Sequence, residues 1–417
     1  MPRRLHPLRD PVELRHDGVR VLAERGEPIA AALVAADRVG IARSAKLHRP
    51  RGPCCLRGGC DGCLARVDGV PNVMTCRTPA RGGEVVETQH KAGPGGLDLL
   101  RATDFVFPRG IDHHRLFAGT RGVGKLVQQV ARHIAGLGRL PERAVPARAV
   151  GRRDVDVLVV GAGAAGLAAA SALRGREVVV ADDALVAGGS LALLDPAAAE
   201  RAVLAAGELS LATTVVGLFR DGRGGHAPVA LLASAAGATE IVPRAVVLAP
   251  GGHDGVVPFG NDDLPGVLSA RAALALLRGG VLVGERLVLV GDGRFARALA
   301  AALGGLARVT RLAPEELVTA RGLSRVTGVV VRAPGGATRR LDADAVVVEA
   351  PLAPGFELAA QAGAVVRFAP ERGYAPEADA HGRVAPWVWI AGAVAGATDS
   401  AADGARVGRA VAAALGG

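Results

Sequence analysis

The chain has 417 residues, half of them apolar, with 3% aromatics and 58 glycines, enough for two or three domains with aliphatic cores and many tight turns. Its formal charge is +10, from 50 Lys and Arg against 40 Asp and Glu, but Lys stands only at Lys46, Lys91 and Lys125 and the arginines are spread along the chain, which argues against a nucleic-acid partner. The charged start MPRRLHPLRD has no apolar h-region, and the longest apolar run, 157–173, is interrupted by glycine, so neither a signal peptide nor a membrane span is expected and the expected location is cytoplasmic.

In chain order, residues 1–93 read as short strands joined by turns. Residues 12–15 and 19–22 alternate apolar and polar around Asp17-Gly18, a hairpin signal, and 28–36 reads as a helix. All five cysteines then fall between positions 54 and 76, which in a chain of cytosolic character favours metal over disulfides. Residues 94–152 are expected to form a linker with a helix. At its start, 92–96 is expected to be a flexible joint, and Leu126, Val130, Ile134 and Leu137 lie at helical spacing over 124–138. The stretch 141–153 is polar and holds two prolines. His113 and His114, beside Asp112, read as solvated or capping residues, with a metal role as the alternative.

A strand at 155–160, a Gly-rich turn, a helix and a strand at 177–181 form a βαβ unit. An apolar strand at 245–250 ends at Gly251-Gly252. A second strand, Gly turn and helix opens at 286–303, and another apolar strand follows at 345–349. A last strand at 388–391 runs into Gly392 and a terminal helix that reaches Leu415.

The cysteines are spaced Cys55-x4-Cys60-x2-Cys63-x12-Cys76. The first two intervals are those of plant-type [2Fe-2S] ligation. The loop between Cys55 and Cys60 ends in Gly58-Gly59, so backbone N–H groups can approach cluster sulfurs and stabilise the charge added on reduction. After Cys63 a strand at 64–67 turns at Asp68-Gly69 and returns to deliver Cys76. The alternative is a four-thiolate zinc site, but such sites usually come as two C-x2-C knuckles, and only one such pair is present. Cys54 is the spare thiol, and the x4 interval favours Cys55 over it.

Gly161-Ala162-Gly163-Ala164-Ala165-Gly166 follows a strand and opens a helix, the context in which GxGxxG binds a dinucleotide. Gly161 permits the tight turn, Gly163 the approach of the pyrophosphate and Gly166 close helix–strand packing. The helix N-terminus favours phosphate charge, and Asp182, followed by Asp183, stands where an acid bonds ribose hydroxyls. The second fingerprint, Gly291-Asp292-Gly293-Arg294-Phe295-Ala296, has Ala for its third Gly, and its second strand, 309–312, lacks a terminal acid. This site either takes NAD(P) or is a fold element only. No redox cysteine pair accompanies the nucleotide regions.

Three groups of segments together resemble a known family: HRPRGPCCLRGGCDGCLARVDGVPNVMTCRTP; FVFPRGIDHHRLFAGTRGVGKLVQQVARHIAGLGRLPE; and VLVVGAGAAGLAAASAL with DDALVAGGSL, TTVVGLFRDGR and LAPGGHDGVVPFGNDDLPGVLSARAAL. The family is that of the alpha subunit of heterotetrameric sarcosine oxidase, with the matching subunits of opine oxidases, hydrogen cyanide synthase and dye-linked proline dehydrogenases. The resemblance implies an α/β, glutathione-reductase-like two-dinucleotide-binding fold with an N-terminal β-grasp [2Fe-2S] ferredoxin-like domain at 1–93. An FAD-type domain at 153–280 and 351–417 would be interrupted by an NAD-type subdomain at 281–350. It further implies cofactor contacts at Gly161, Gly163, Ala164, Ala165, Gly166, Asp182, Asp183, Gly189, Ser190, Gly251, Gly291, Gly293, Gly392 and Ala393. No catalytic residue is expected, because oxidation at the CH–NH donor would occur on a partner flavoprotein of amino-acid-oxidase type in a hetero-oligomer. The chain would relay electrons between FAD and the cluster. Two departures stand out. Ala393 replaces the Asp that usually bonds the flavin side chain, so FAD or NAD is expected at the first site. The large C-terminal folate-type domain does not follow Gly417, which favours a dehydrogenase. The alternatives are a stand-alone NAD(P)H-dependent reductase and a structural subunit that holds NAD.

Overall fold

The computed structural model describes residues 1–45, 47–90, 102, 150–220 and 228–416. The joint at 92–96, the helix expected at 124–138, His113, His114 and most of the stretch at 141–153 lie outside them. The chain divides into two compact units, Met1–Ala144 with Val256–Glu349, and Val145–Gly255 with Ala350–Gly417.

The first unit begins with a five-stranded sheet ordered Val19–Glu24, Pro11–His16, Val85–Thr88, Leu64–Val67, Val70–Met74. Pro11–His16 and Val85–Thr88 run parallel, and the other neighbours are antiparallel. Two tight hairpins set the registers. Asp17 and Gly18 (φ 49° and 81°) and Asp68 and Gly69 (φ 48° and 79°) both adopt the left-handed pair that a two-residue turn needs. The helix Ile29–Ala35 packs across this sheet, and Ile29, Leu33, Leu14, Val86, Cys63 and Cys76 share one core. This is a β-grasp arrangement. It places the cysteine loop next to the apolar core, with Cys63 and Cys76 buried.

The same unit carries a parallel four-stranded sheet ordered Val267–Ser269, Ala345–Val348, Arg286–Val290, Arg308–Leu312. A three-stranded antiparallel sheet, Leu317–Arg321, Gly328–Arg332 and Thr338–Asp342, completes it. Residues 256–280, expected in the first dinucleotide domain, lie in this unit, where Val267–Ser269 pairs with Ala345–Val348 and the helix Ala270–Arg278 continues from that strand.

The second unit is built on a larger sheet. Leu209–Ser210, Val178–Ala181, Val150–Val160 and Gly237–Leu248 lie side by side in parallel, and Val388–Ile390 pairs in parallel with the end of Gly237–Leu248. Pro228–Ser234 and Thr214–Arg220 extend the sheet antiparallel. Val157, Leu158 and Val159 are fully buried, which accounts for the continuous apolar run of a strand covered on both faces. Each such side chain contributes roughly 1.5–3 kcal/mol on burial. Together they fix the strand end from which the first Gly-rich turn springs.

Candidate iron–sulfur and dinucleotide sites

The four expected cysteine ligands come together as two pairs. The sulfurs of Cys63 and Cys76 are 3.1 Å apart, and the Cys55 thiol hydrogen-bonds to the Cys60 sulfur. Hence Cys60 is pushed down to about 6, first by the bond from Cys55, with burial opposing and the backbone N–H groups of Cys55, Gly62 and Cys54 assisting. Cys63 is lowered chiefly by Cys76 in the same way. Cys55 and Cys76 are raised, first by their partner sulfurs and then by burial.

Backbone donors surround these sulfurs. The Arg57 N–H lies 3.4 Å from the Cys55 sulfur, that of Gly59 also bonds Cys55, and that of Gly58 bonds Cys76. Gly62 must be glycine, since a β-carbon there would meet the Gly52 carbonyl oxygen at 2.0 Å. Buried Thr75 ties the return strand to Cys63. Its hydroxyl donates to the Cys63 carbonyl at 2.8 Å and its N–H to the same oxygen at 3.2 Å. Two thiol pairs, each ready to hold one iron, suit a two-iron cluster. The donor set fits a [2Fe-2S] cluster, with one thiol pair for each iron.

In the second unit Gly161 has φ 107°, and a β-carbon there would meet the Ala249 carbonyl oxygen at 2.3 Å. One on Gly166 would meet the Gly161 carbonyl oxygen at 1.8 Å. By contrast, the β-carbon position of Gly163 has nothing within 4 Å. Gly163 is the N-cap of the helix Ala164–Ala172, so an open cradle lies at a helix N-terminus, where backbone N–H groups receive phosphate. Gly188 bridges to Gly163, and its N–H donates to the Ala162 carbonyl at 2.7 Å. This brings Gly189 and Ser190 to the Gly-rich turn. The Asp182 carboxylate accepts from the N–H of Ala162 at 2.6 Å and of Ala184 at 2.7 Å, and so holds both loops. Asp183 is exposed. Gly251 follows the end of the strand that packs on Gly161, with open space at its β-carbon position.

Gly392 closes the cradle from the last strand, since its β-carbon would meet that of Ala165 at 2.6 Å. Ala393, half-buried, begins the exit from this turn. Three further residues of this site went unread in the sequence. Asp403 accepts the Gly392 N–H at 2.8 Å. Gly404 and Gly408 let the helix Ser400–Ala414 lie against the nucleotide helix, where β-carbons would meet the carbonyl oxygens of Ala165 and Ala169 at 2.0 and 2.6 Å. The G-x3-G spacing on one helix face was the available signal.

Gly291 and Gly293 lie in the first unit and differ from this pattern. The Glu349 carboxylate accepts from the backbone N–H groups of Phe295, at 3.2 Å, and Ala296, at 2.5 Å. A β-carbon on Gly293 would lie 2.2 Å from a Glu349 carboxylate oxygen. The helix N-terminus of the second fingerprint is thus taken by the chain's own acid.

Residues 9–91 match the 2Fe-2S iron-sulfur cluster binding domain family. The chain is 29% identical over 314 residues to the sarcosine oxidase subunit alpha of Rhizobium meliloti (strain 1021), covering 66% of this chain and 31% of that protein. It is 33% identical over 210 residues to the sarcosine oxidase subunit alpha of Corynebacterium sp. (strain P-1), covering 42% and 22%. The chain thus spans about a third or less of the length of the curated relatives it matches. In fold it is similar to L-proline dehydrogenase from P. horikoshii, with a TM-score of 0.76 and 20% identity over 99% of this chain and 75% of that one. The T. acidophilum thioredoxin reductase aligns with 63% of this chain and 99% of its own, with a TM-score of 0.52 and 21% identity. No helix among the described residues is long and apolar enough to cross a membrane. Residues 9–91 thus belong to the 2Fe-2S iron-sulfur cluster binding domain family, while the chain as a whole is similar in sequence to sarcosine oxidase alpha subunits and in fold to L-proline dehydrogenase from P. horikoshii.

Proposed function

We propose that the chain is the electron-transfer subunit of a multi-subunit FAD-dependent amine or amino-acid dehydrogenase or oxidase. Its substrate would be a CH–NH donor of sarcosine, proline or opine type, and substrate oxidation would occur on a partner flavoprotein subunit of amino-acid-oxidase type. Cys55, Cys60, Cys63 and Cys76 hold the [2Fe-2S] cluster. FAD, or NAD in its place, lies on Gly161, Gly163, Ala164, Ala165 and Gly166, with Asp182 and Asp183, Gly189, Ser190, Gly251, Gly392 and Ala393 around it. When bound, the flavin supplies exchange between two-electron and one-electron transfer, and the cluster stores one electron.

The observation that carries this reading is the pairing of two thiol pairs, ringed by backbone donors, with an open Gly163 cradle in one chain. The chain's own part is electrostatic. The N–H groups at Arg57, Gly58, Gly59 and Gly62 favour the more negative, reduced state of the cluster. The N-terminus of Ala164–Ala172 offers unsatisfied N–H groups to a pyrophosphate. No side-chain acid or base is needed for the relay.

Glu349 over Gly293 counts against a stand-alone NAD(P)H-dependent reductase, which would need the second site. Metal analysis and mass spectrometry of the extracted cofactor test the proposal on the anaerobically reconstituted chain. Iron with FAD supports it, whereas NAD as the sole dinucleotide supports a structural subunit. A chain holding neither iron nor dinucleotide sinks it.

A further inference from the structure

The second dinucleotide fold has a partner within its own unit. Asp263 accepts from Arg49 at 2.8 Å and also from Arg51, and Asn261 accepts from Arg49 at 2.9 Å. Asp37 accepts from Arg325. The Ser269 N–H donates to the Cys54 carbonyl at 3.0 Å, beside the first cluster ligand. A β-carbon on Gly52 would lie 3.0 Å from that of Pro265, and Arg3–Arg4 pairs antiparallel with Val281–Leu282. These contacts join the iron–sulfur domain, the stretch just before its cysteines included, to residues 261–282 ahead of the second Gly-rich turn and to Arg325 beyond it. That turn is meanwhile covered by Glu349, while the equivalent space over Gly163 is open.

We infer that the fold Val256–Glu349 takes no nucleotide and serves as a mount for the iron–sulfur domain, with Glu349 closing its phosphate site and Asp263 as a positioning residue of the mount. The carboxylate occupies the helix donors that a pyrophosphate would use and places a like charge where the phosphates would lie. A fold relieved of nucleotide binding is free to remain rigid, which suits a support for an electron-transfer centre. This goes beyond the relay reading and does not depend on which dinucleotide fills the first site.

The test is hydrogen exchange with mass spectrometry on the full, cluster-loaded chain. Neither NADH nor inorganic pyrophosphate is expected to slow exchange at 291–303 in the wild type. Glu349→Ala is expected to gain protection there of about tenfold, a local change of about 1.4 kcal/mol. Protection of the wild type at 291–303, or none in Glu349→Ala with either probe, overturns the closure. Asp263→Ala is expected to speed exchange at 49–63 by about tenfold and to shift the cluster's midpoint potential, and Asp263→Glu to restore both. Unchanged exchange and potential in Asp263→Ala overturn the mount. Should Asp263→Ala not fold, Asp263→Asn is judged by the same two readouts. Loss of dinucleotide from 161–166 would defeat the relay reading and leave both of these results standing.

Discussion

Gly166 sits directly beneath the carbonyl of Gly161, so closely that a β-carbon on Gly166 would lie 1.8 Å from that oxygen. Gly163, between them in sequence, has no neighbour within 4 Å of its β-carbon position and takes an ordinary extended conformation, φ −85° and ψ −175°. The two glycines should therefore fail differently. Gly166→Ala forces helix from strand and should cost about 3 kcal/mol, read as a lower thermal midpoint. Gly163→Val should leave the midpoint nearly unchanged and reduce retained dinucleotide by about tenfold. Equal loss of stability in both variants would contradict these separate roles.

The cysteines give a second contrast. Cys54 presents its N–H to the Cys60 sulfur and its carbonyl to Ser269, both backbone groups that survive substitution. Cys54→Ser should keep the full visible spectrum of the cluster. Cys60→Ser removes the thiol pushed down to about 6, the one readiest to bind iron at neutral pH, and should lose most of the cluster. Iron content per chain decides between them, and loss of iron in Cys54→Ser would reassign the first ligand.

Ala393 follows Gly392, whose N–H is already held by Asp403. An aspartate at 393 would add the acid that the resemblance leads one to expect there. Ala393→Asp should retain FAD more firmly through gel filtration, by about tenfold, the worth of one charge-assisted hydrogen bond of about 1.5 kcal/mol. No change in retention would show that this position does not face the flavin.

Asp344 supplies a pH dependence. Burial raises its pKa, but the Arg286 guanidinium and the N–H groups of Glu285 and Arg286 outweigh this and bring it down from 3.8 to about 2. A pKa lowered by folding stabilises the native state fully above the unfolded value, and that contribution is lost as the pH falls through the folded one. About 2 kcal/mol should therefore disappear between pH 4 and pH 2. Asp344→Asn should lack this part of the acid-side decline in urea stability, and identical slopes for the two proteins would exclude the effect.

Much of the site could be read because it is local. The cysteine intervals, the two Asp-Gly hairpins and the Gly161–Gly166 fingerprint each depend on a few consecutive residues, and each forms locally, within its own unit. What escaped depends on pairings distant in sequence. Val267–Ser269 joins the second fold only by lying beside Ala345–Val348, so no local feature of residues 256–280 marks them as part of it. Glu349 reaches the N–H groups of Phe295 and Ala296 because parallel strands bring their ends together. The links from Asp263 and Ser269 to the cysteine segment span more than 200 residues. No local period announces any of these contacts.

The central proposal is that one chain holds both a flavin and a [2Fe-2S] cluster. An anaerobic reductive titration of the reconstituted chain, followed by absorbance and electron paramagnetic resonance together, tests it most directly. The account predicts uptake of about three electrons per chain, two bleaching the flavin and one producing the resonance of a reduced [2Fe-2S] cluster. Uptake of a single electron with no flavin bleaching, or bleaching with no cluster resonance, would contradict it.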